Sequence, residues 1–193
     1  MEIEAVPERP GRWLVAHRDG DGEAFAKLVQ QYRRPVYGYL VHCGIPETDR
    51  DDLFQEIFIK IHQRAHQYDR TRPLHPWLFT VVANTVRTYW RKERRRSFFV
   101  REPATTEVAD PAPDTETIVS SRQSALWLER AIGSLPRPQR EALTLATIEN
   151  LPLKDIASIL DMPLSTVKTH VRRARLRLVE SYERRHTREP RHD

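Results

Sequence analysis

A chain of 193 residues with 39% hydrophobic side chains can bury one medium core or two small ones. Its 14 prolines against 6 glycines and 31% charged residues point to helices broken by stiff connectors. One cysteine, Cys43, excludes an internal disulfide and a thiolate zinc cluster, and no run of 18 apolar residues offers a membrane-spanning helix. A net charge of +5 and a pI near 9.6 suit a polyanionic partner, yet residues 1–57 carry more acid than base. Separate acidic and basic surfaces imply at least two kinds of partner. The acidic start, MEIEAVPERP, is unlike a signal peptide, so a cytoplasmic protein is expected.

The first predicted helix lies in DGEAFAKLVQQYRRPVYGYLVHCG, with Asp21 as N-cap and Phe25, Leu28, Val29, Tyr32, Val36 and Leu40 at helical spacing. Pro35 is expected to kink or split it. A second helix, TDRDDLFQEIFIKIHQRAHQY, is expected to be capped near Thr48 or Asp49. It stacks Leu53, Ile57 and Ile61 on one face, with Phe54 and Phe58 beside them. Ile59 projects nearly opposite, among Asp52, Gln55, His62 and Gln63, as an apolar residue on a docking surface does. His62 and His66 stand four apart, but without a carboxylate or cysteine set they read as surface histidines, not metal ligands.

The loop DRTRPLHP then leads into PWLFTVVANTVRTYWRKERRR, residues 76–96. Leu78, Val82, Val86 and Tyr89 gather on one side of this helix, flanked by Phe79 and Trp90. Thr80, Asn84, Arg87, Thr88 and Arg91 gather on the other, with Trp77 in line above them. One face is core; the other is a row of hydrogen-bonding and cationic groups running toward a cluster of arginines. From about residue 97 to 121 the composition changes. The stretch EPATTEVADPAPDTETIVSS holds three prolines and five carboxylates, lacks Lys and Arg, and has no helical period, which is a linker composition. Helices resume in SRQSALWLERAIGSLP and RPQREALTLATIENL.

LKDIASILDMPLSTVKTHVRRARLRL has helix-turn-helix spacing. Ile156, Leu160, Met162 and Val167 are placed to lock two helices, with Ala157 small at their crossing. Asp161 stands where such turns need a left-handed backbone. Ser165, Thr166, Lys168, Thr169, Arg172 and Arg173 then face outward, hydroxyls and helix-start amides toward phosphate and the cations toward phosphates or guanine edges. No Ser-His-Asp order, glycine-rich phosphate loop or carboxylate dyad supports an enzyme.

Together, GDGEAFAKLVQQY, DDLFQEIFIKIH and PWLFTVVANTVRTYWRKERRR resemble successive parts of region 2 of a bacterial sigma factor. LPRPQREALTLATIENLPLKDIASILDMPLSTVKTHVRRARLRL resembles region 4. In order, spacing and the acidic linker between, the chain is similar to the extracytoplasmic-function (ECF, group IV) sigma factors. The large first and third regions of housekeeping sigmas have no counterpart. The resemblance implies an all-α protein of two small helical domains on a flexible tether. Their expected bounds are residues 16–97 for region 2, 98–121 for the linker, 122–185 for region 4, and a disordered tail over 186–193.

The resemblance also implies roles. Core RNA polymerase is bound through the β′ clamp coiled coil and the β flap, with Asp52, Gln55, Glu56 and Ile59 on the clamp. The −10 element is held single-stranded by Tyr68, Arg72, Asn84, Arg87, Thr88, Arg91 and Arg95, the arginines following phosphates and Asn84 meeting a base. Tyr68 stays open between a wall for an extruded base and a core aromatic. The −35 duplex falls to Ser165, Thr166, Lys168, Thr169, Arg172 and Arg173. The acidic linker suits either a positively charged RNA channel or a solvated spacer. An anti-sigma factor, often membrane-bound in the family, is an expected partner. No cofactor, metal, small-molecule substrate or membrane insertion is implied. The rivals are a conventional helix-turn-helix regulator that binds duplex DNA without polymerase, and an anti-sigma decoy, against which the presence of both DNA-reading segments argues.

Overall fold

The computed structural model describes the backbone of residues 10–99 and 118–187, and the side chains of 10–96 and 126–185. Among these residues the elements are helical: α1 (Pro10–Arg18), α2 (Gly22–His42), α3 (Glu47–Gln63), a short 3-10 turn (Ala65–Gln67), α4 (Leu74–Phe99), α5 (Ile118–Gly133), α6 (Arg137–Thr147), α7 (Leu153–Leu160) and α8 (Leu164–Thr187). Most of the expected linker, 100–117, and most of the expected tail, 188–193, lie outside the described residues. Two residues of that linker stretch close α4, and four open α5.

Local chemistry explains the boundaries. The Asp21 carboxylate accepts hydrogen bonds from the Glu23 and Ala24 amides at 2.9 and 3.1 Å, so it caps α2. Pro35 neither splits nor ends α2, which runs on to His42. The carbonyl its ring leaves without a donor belongs to Gln31, an exposed residue where water can take the bond. The cap expected for α3 at Thr48 or Asp49 is displaced. α3 starts at Glu47 behind Pro46 with no side-chain cap, the Thr48 hydroxyl donates to Asp49, and the acidic first turn suits the positive end of the helix. α4 opens at Leu74, two residues earlier than its pattern suggests. Pro76 fits in that first turn, where amides lack intrahelical partners anyway.

α1 has no counterpart among the predicted helices, yet it seats the fully buried Leu14 and packs on α2 and the 3-10 turn. Leu78, Phe79, Val82 and Val86 of α4 are buried as the stripe requires, but so are Val81, Ala83 and Thr85. Burial wraps further round α4 because α3 packs on one side of it and α7 on the other. One apolar cluster therefore runs from Leu28, Tyr39, Ile57 and Phe79 through Leu135 and Leu145 to Ile156 and Leu160. The two helical units share a core boundary. Gly44, at φ +75°, lets α6 come close: a Cβ there would stand 2.8 Å from the Arg140 guanidinium.

Candidate nucleic-acid interface

The recognition hairpin is built on the α7–α8 turn. Asp161 adopts φ 52° and ψ 51°, the left-handed conformation its position asked for, and the Met162 amide bonds back to the Ala157 carbonyl at 3.0 Å. Ile156, Leu160 and Val167 are buried and Met162 is half-buried, which fixes the crossing. With Val167, Val171 and Ala174 buried, the outer face of α8 presents Ser165, Lys168, Thr169, Arg172 and Arg173 exposed, and Thr166 half-buried. The Thr169 hydroxyl donates to the Ser165 carbonyl at 2.9 Å. Six polar or cationic side chains thus share one face of a rigid helix.

On α4, Asn84 is exposed and its Oδ1 accepts from Arg87 Nη2 at 2.6 Å. The Thr88 hydroxyl donates to the Asn84 carbonyl, and Arg91 reaches Thr88 at 3.5 Å. Arg91 and Arg95 are exposed farther along. Arg87 is half-buried and turned toward α7, donating from Nη1 to the Leu160 carbonyl at 2.8 Å and from Nη2 to the Ile159 carbonyl at 2.6 Å.

Tyr68 is buried, at 6% exposure. Its hydroxyl donates to the Arg72 carbonyl at 2.7 Å, its ring lies 5.4 Å from Trp77, and burial raises its pKa, with the Asp69 carboxylate adding to the effect. It walls an open cleft of about 1100 Å³ between α1, the 69–73 loop and the start of α4, where Arg72 is exposed. Asp69 shapes that loop by accepting from the Thr71 amide at 2.9 Å and hydroxyl at 2.7 Å, bonds that hold its carboxyl below the usual range.

Ile59 stands 54% exposed on α3, flanked by exposed Asp52 and Gln55, while Glu56 is half-buried and paired with Lys60. Phe25, Val29, Phe54 and Phe58 extend this spot into a shallow apolar groove. The contribution of α2 to it was missed, because Phe25 and Val29 fit the core stripe as well as a surface. His62 does not pair with His66; its Nδ1 lies 2.8 Å from His17 Nε2. Among the described residues no group of three His, Cys, Asp or Glu side chains could hold a metal ion.

Sequence reading also missed the groups between the two units. His75 Nε2 meets the Glu149 backbone carbonyl at 3.2 Å and its carboxylate at 3.5 Å, and the His75 ring stacks 5.7 Å from Tyr32. Burial pushes the Glu149 carboxyl up to about 7 and the His75 pKa down. Arg137 pairs with Glu141 at 2.9 Å and lies 5.2 Å over the Trp90 ring of α4.

Two family models match this chain: Sigma-70 region 2 over residues 28–96 and Sigma-70, region 4 over residues 125–178. The ECF RNA polymerase sigma-E factor of Escherichia coli (strain K12) is 30% identical over 167 residues, spanning 81% of this chain and 85% of that protein. The chain belongs to the ECF sigma factors. The sigma-E factor of Haemophilus influenzae (strain ATCC 51907 / DSM 11121 / KW20 / Rd) is likewise 30% identical, over 166 residues, 82% of this chain and 87% of its own. The fold agrees with two solved structures. One is the structure of CnrH in complex with the cytosolic domain of CnrY, with a TM-score of 0.67 and 22% identity, covering 91% of this chain and 98% of that one. The other is the sigma factor RpoE in complex with the anti-sigma factor NepR from Bartonella quintana, with a TM-score of 0.64 and 20% identity, covering 82% and 96%. In this ECF sigma factor α2 to α4 correspond to region 2 and α5 to α8 to region 4.

Proposed function

We propose that this chain is an alternative sigma factor that binds core RNA polymerase, directs it to specific promoters through −35 and −10 elements, and promotes strand opening. What carries the reading is sigma-family likeness that spans both helical units on one chain, in family order. The duplex face is Ser165, Thr166, Lys168, Thr169, Arg172 and Arg173 of α8. The single-strand face is Asn84, Arg87, Thr88, Arg91 and Arg95 of α4 with Arg72, and with Tyr68 shaping the adjoining cleft. Asp52, Gln55, Glu56 and Ile59 dock on the β′ clamp coiled coil, the second unit meets the β flap, and an anti-sigma factor is the regulatory partner.

The chain works by binding, not by catalysing a bond change. Bases captured single-stranded contribute roughly 1–3 kcal/mol each by stacking, enough to offset unpairing at an AT-rich step. Arginines along α4 neutralise phosphates, so opening weakens as salt rises. None of the helices described is long and apolar enough to cross a membrane; the chain's proposed place of action is the cytoplasm, with the polymerase it serves. A conventional regulator would need only the helix-turn-helix and would shift duplex DNA alone. Run-off transcription with core polymerase, with and without this chain, tests the proposal. Initiation that depends on the chain is expected, and a DNA shift with no effect on initiation would favour the regulator.

A further inference from the structure

The last carbonyls of a helix have no intrahelical donor, and they carry the negative end of its dipole. At α7, the amide of Asp161 turns back to Ala157 and Ser158, which leaves the Ile159 and Leu160 carbonyls to be satisfied from outside. Arg87 of α4 does this with both terminal nitrogens, at 2.6 and 2.8 Å, while Nη2 also holds Asn84. Its Nε is buried without a partner, so the fork is committed to α7 at the expense of one donor. Arg137, stacked over Trp90, and His75 on the Glu149 carbonyl brace the same seam on either side.

We propose that Arg87 is a latch, its guanidinium capping α7 in the closed molecule and binding a phosphate of the captured strand in the open one, so that closure and strand capture exclude each other. The two acceptors are chemically alike: paired oxygens carrying partial or full negative charge, matched by a planar fork. One side chain cannot serve both. Closing therefore turns Arg87 away from the strand-binding face and occupies the Oδ1 of Asn84, which stays exposed, as do the α8 cations. The latch rests on the reading of α4 as the strand-binding helix.

The test uses the full chain carrying donor and acceptor dyes on Lys27→Cys of α2 and Arg177→Cys of α8, both exposed, with Cys43, which lies buried beside α6, replaced by serine so that opening uncovers no third thiol. Energy transfer should be high in the wild type. The ratio of closed to open molecules should fall about tenfold or more in Arg87→Ala and in Arg87→Lys, which keeps the charge but loses the fork, with helicity by circular dichroism unchanged. A single-stranded AT-rich DNA of about 12 nucleotides, added with core polymerase, should lower transfer in the wild type as it binds. Transfer unchanged in both variants, or unchanged in the wild type at saturating DNA, would overturn the latch. Transfer lost in Arg87→Ala with DNA affinity intact would instead remove Arg87 from the strand-binding set. That outcome breaks the exclusion through the underlying reading, not through the closed contact.

Discussion

Asp21 is a single carboxylate with two backbone donors and no other task, so its removal has a simple expected effect. Asp21→Ala should cost about 1 kcal/mol and lower the melting temperature by a few degrees, read by thermal circular dichroism, without changing polymerase binding. Glu149 makes the stability depend on pH. Its carboxyl is held up to about 7 by burial, above its ordinary value near 4.5. A raised acid contributes stability that is present below the ordinary value and lost as pH rises through the raised one. Between pH 5 and 8 the wild type should therefore lose about 1 kcal/mol that Glu149→Gln keeps, and the variant should melt higher at pH 8 but not at pH 5. His75 acts in the opposite sense at the acid end: its lowered pKa means stability present above about 6.5 and lost as pH falls.

On the proposed function, α8 and α3 carry separable tasks. Replacing Arg172 and Arg173 together with alanine should weaken dependence on the −35 element by one to two orders of magnitude, read as initiation from templates with and without that element. Opening at −10 should fall less; equal loss of both would undo the division of labour. Changing Gln55 and Ile59 together to alanine should weaken capture of core polymerase while helicity holds, because both are exposed on α3. The elements themselves were readable where the signal is local: the Asp21 cap, the Leu78/Val82/Val86 stripe and the left-handed Asp161 each follow from residues within a turn or two. α1 escaped because PGRWLVAHR is only nine residues long, and its burial comes from α2 rather than from its own pattern.

At the scale of the whole molecule, the sequence implied two units on a tether but not their mutual packing. Arg87 meets Leu160 across 73 positions and His75 meets Glu149 across 74, separations at which periodicity and capping carry no information. For the same reason the second buried side of α4 looked like free surface. The central claim is that this chain opens promoters only as part of the polymerase. Its most direct test is permanganate reactivity of thymines across the −10 element, at promoters mapped from transcripts induced when the chain is overproduced. Reactive thymines are expected with core polymerase and the chain together, and with neither alone. Protected thymines in the complete mixture, or reactive ones with core polymerase alone, would contradict it.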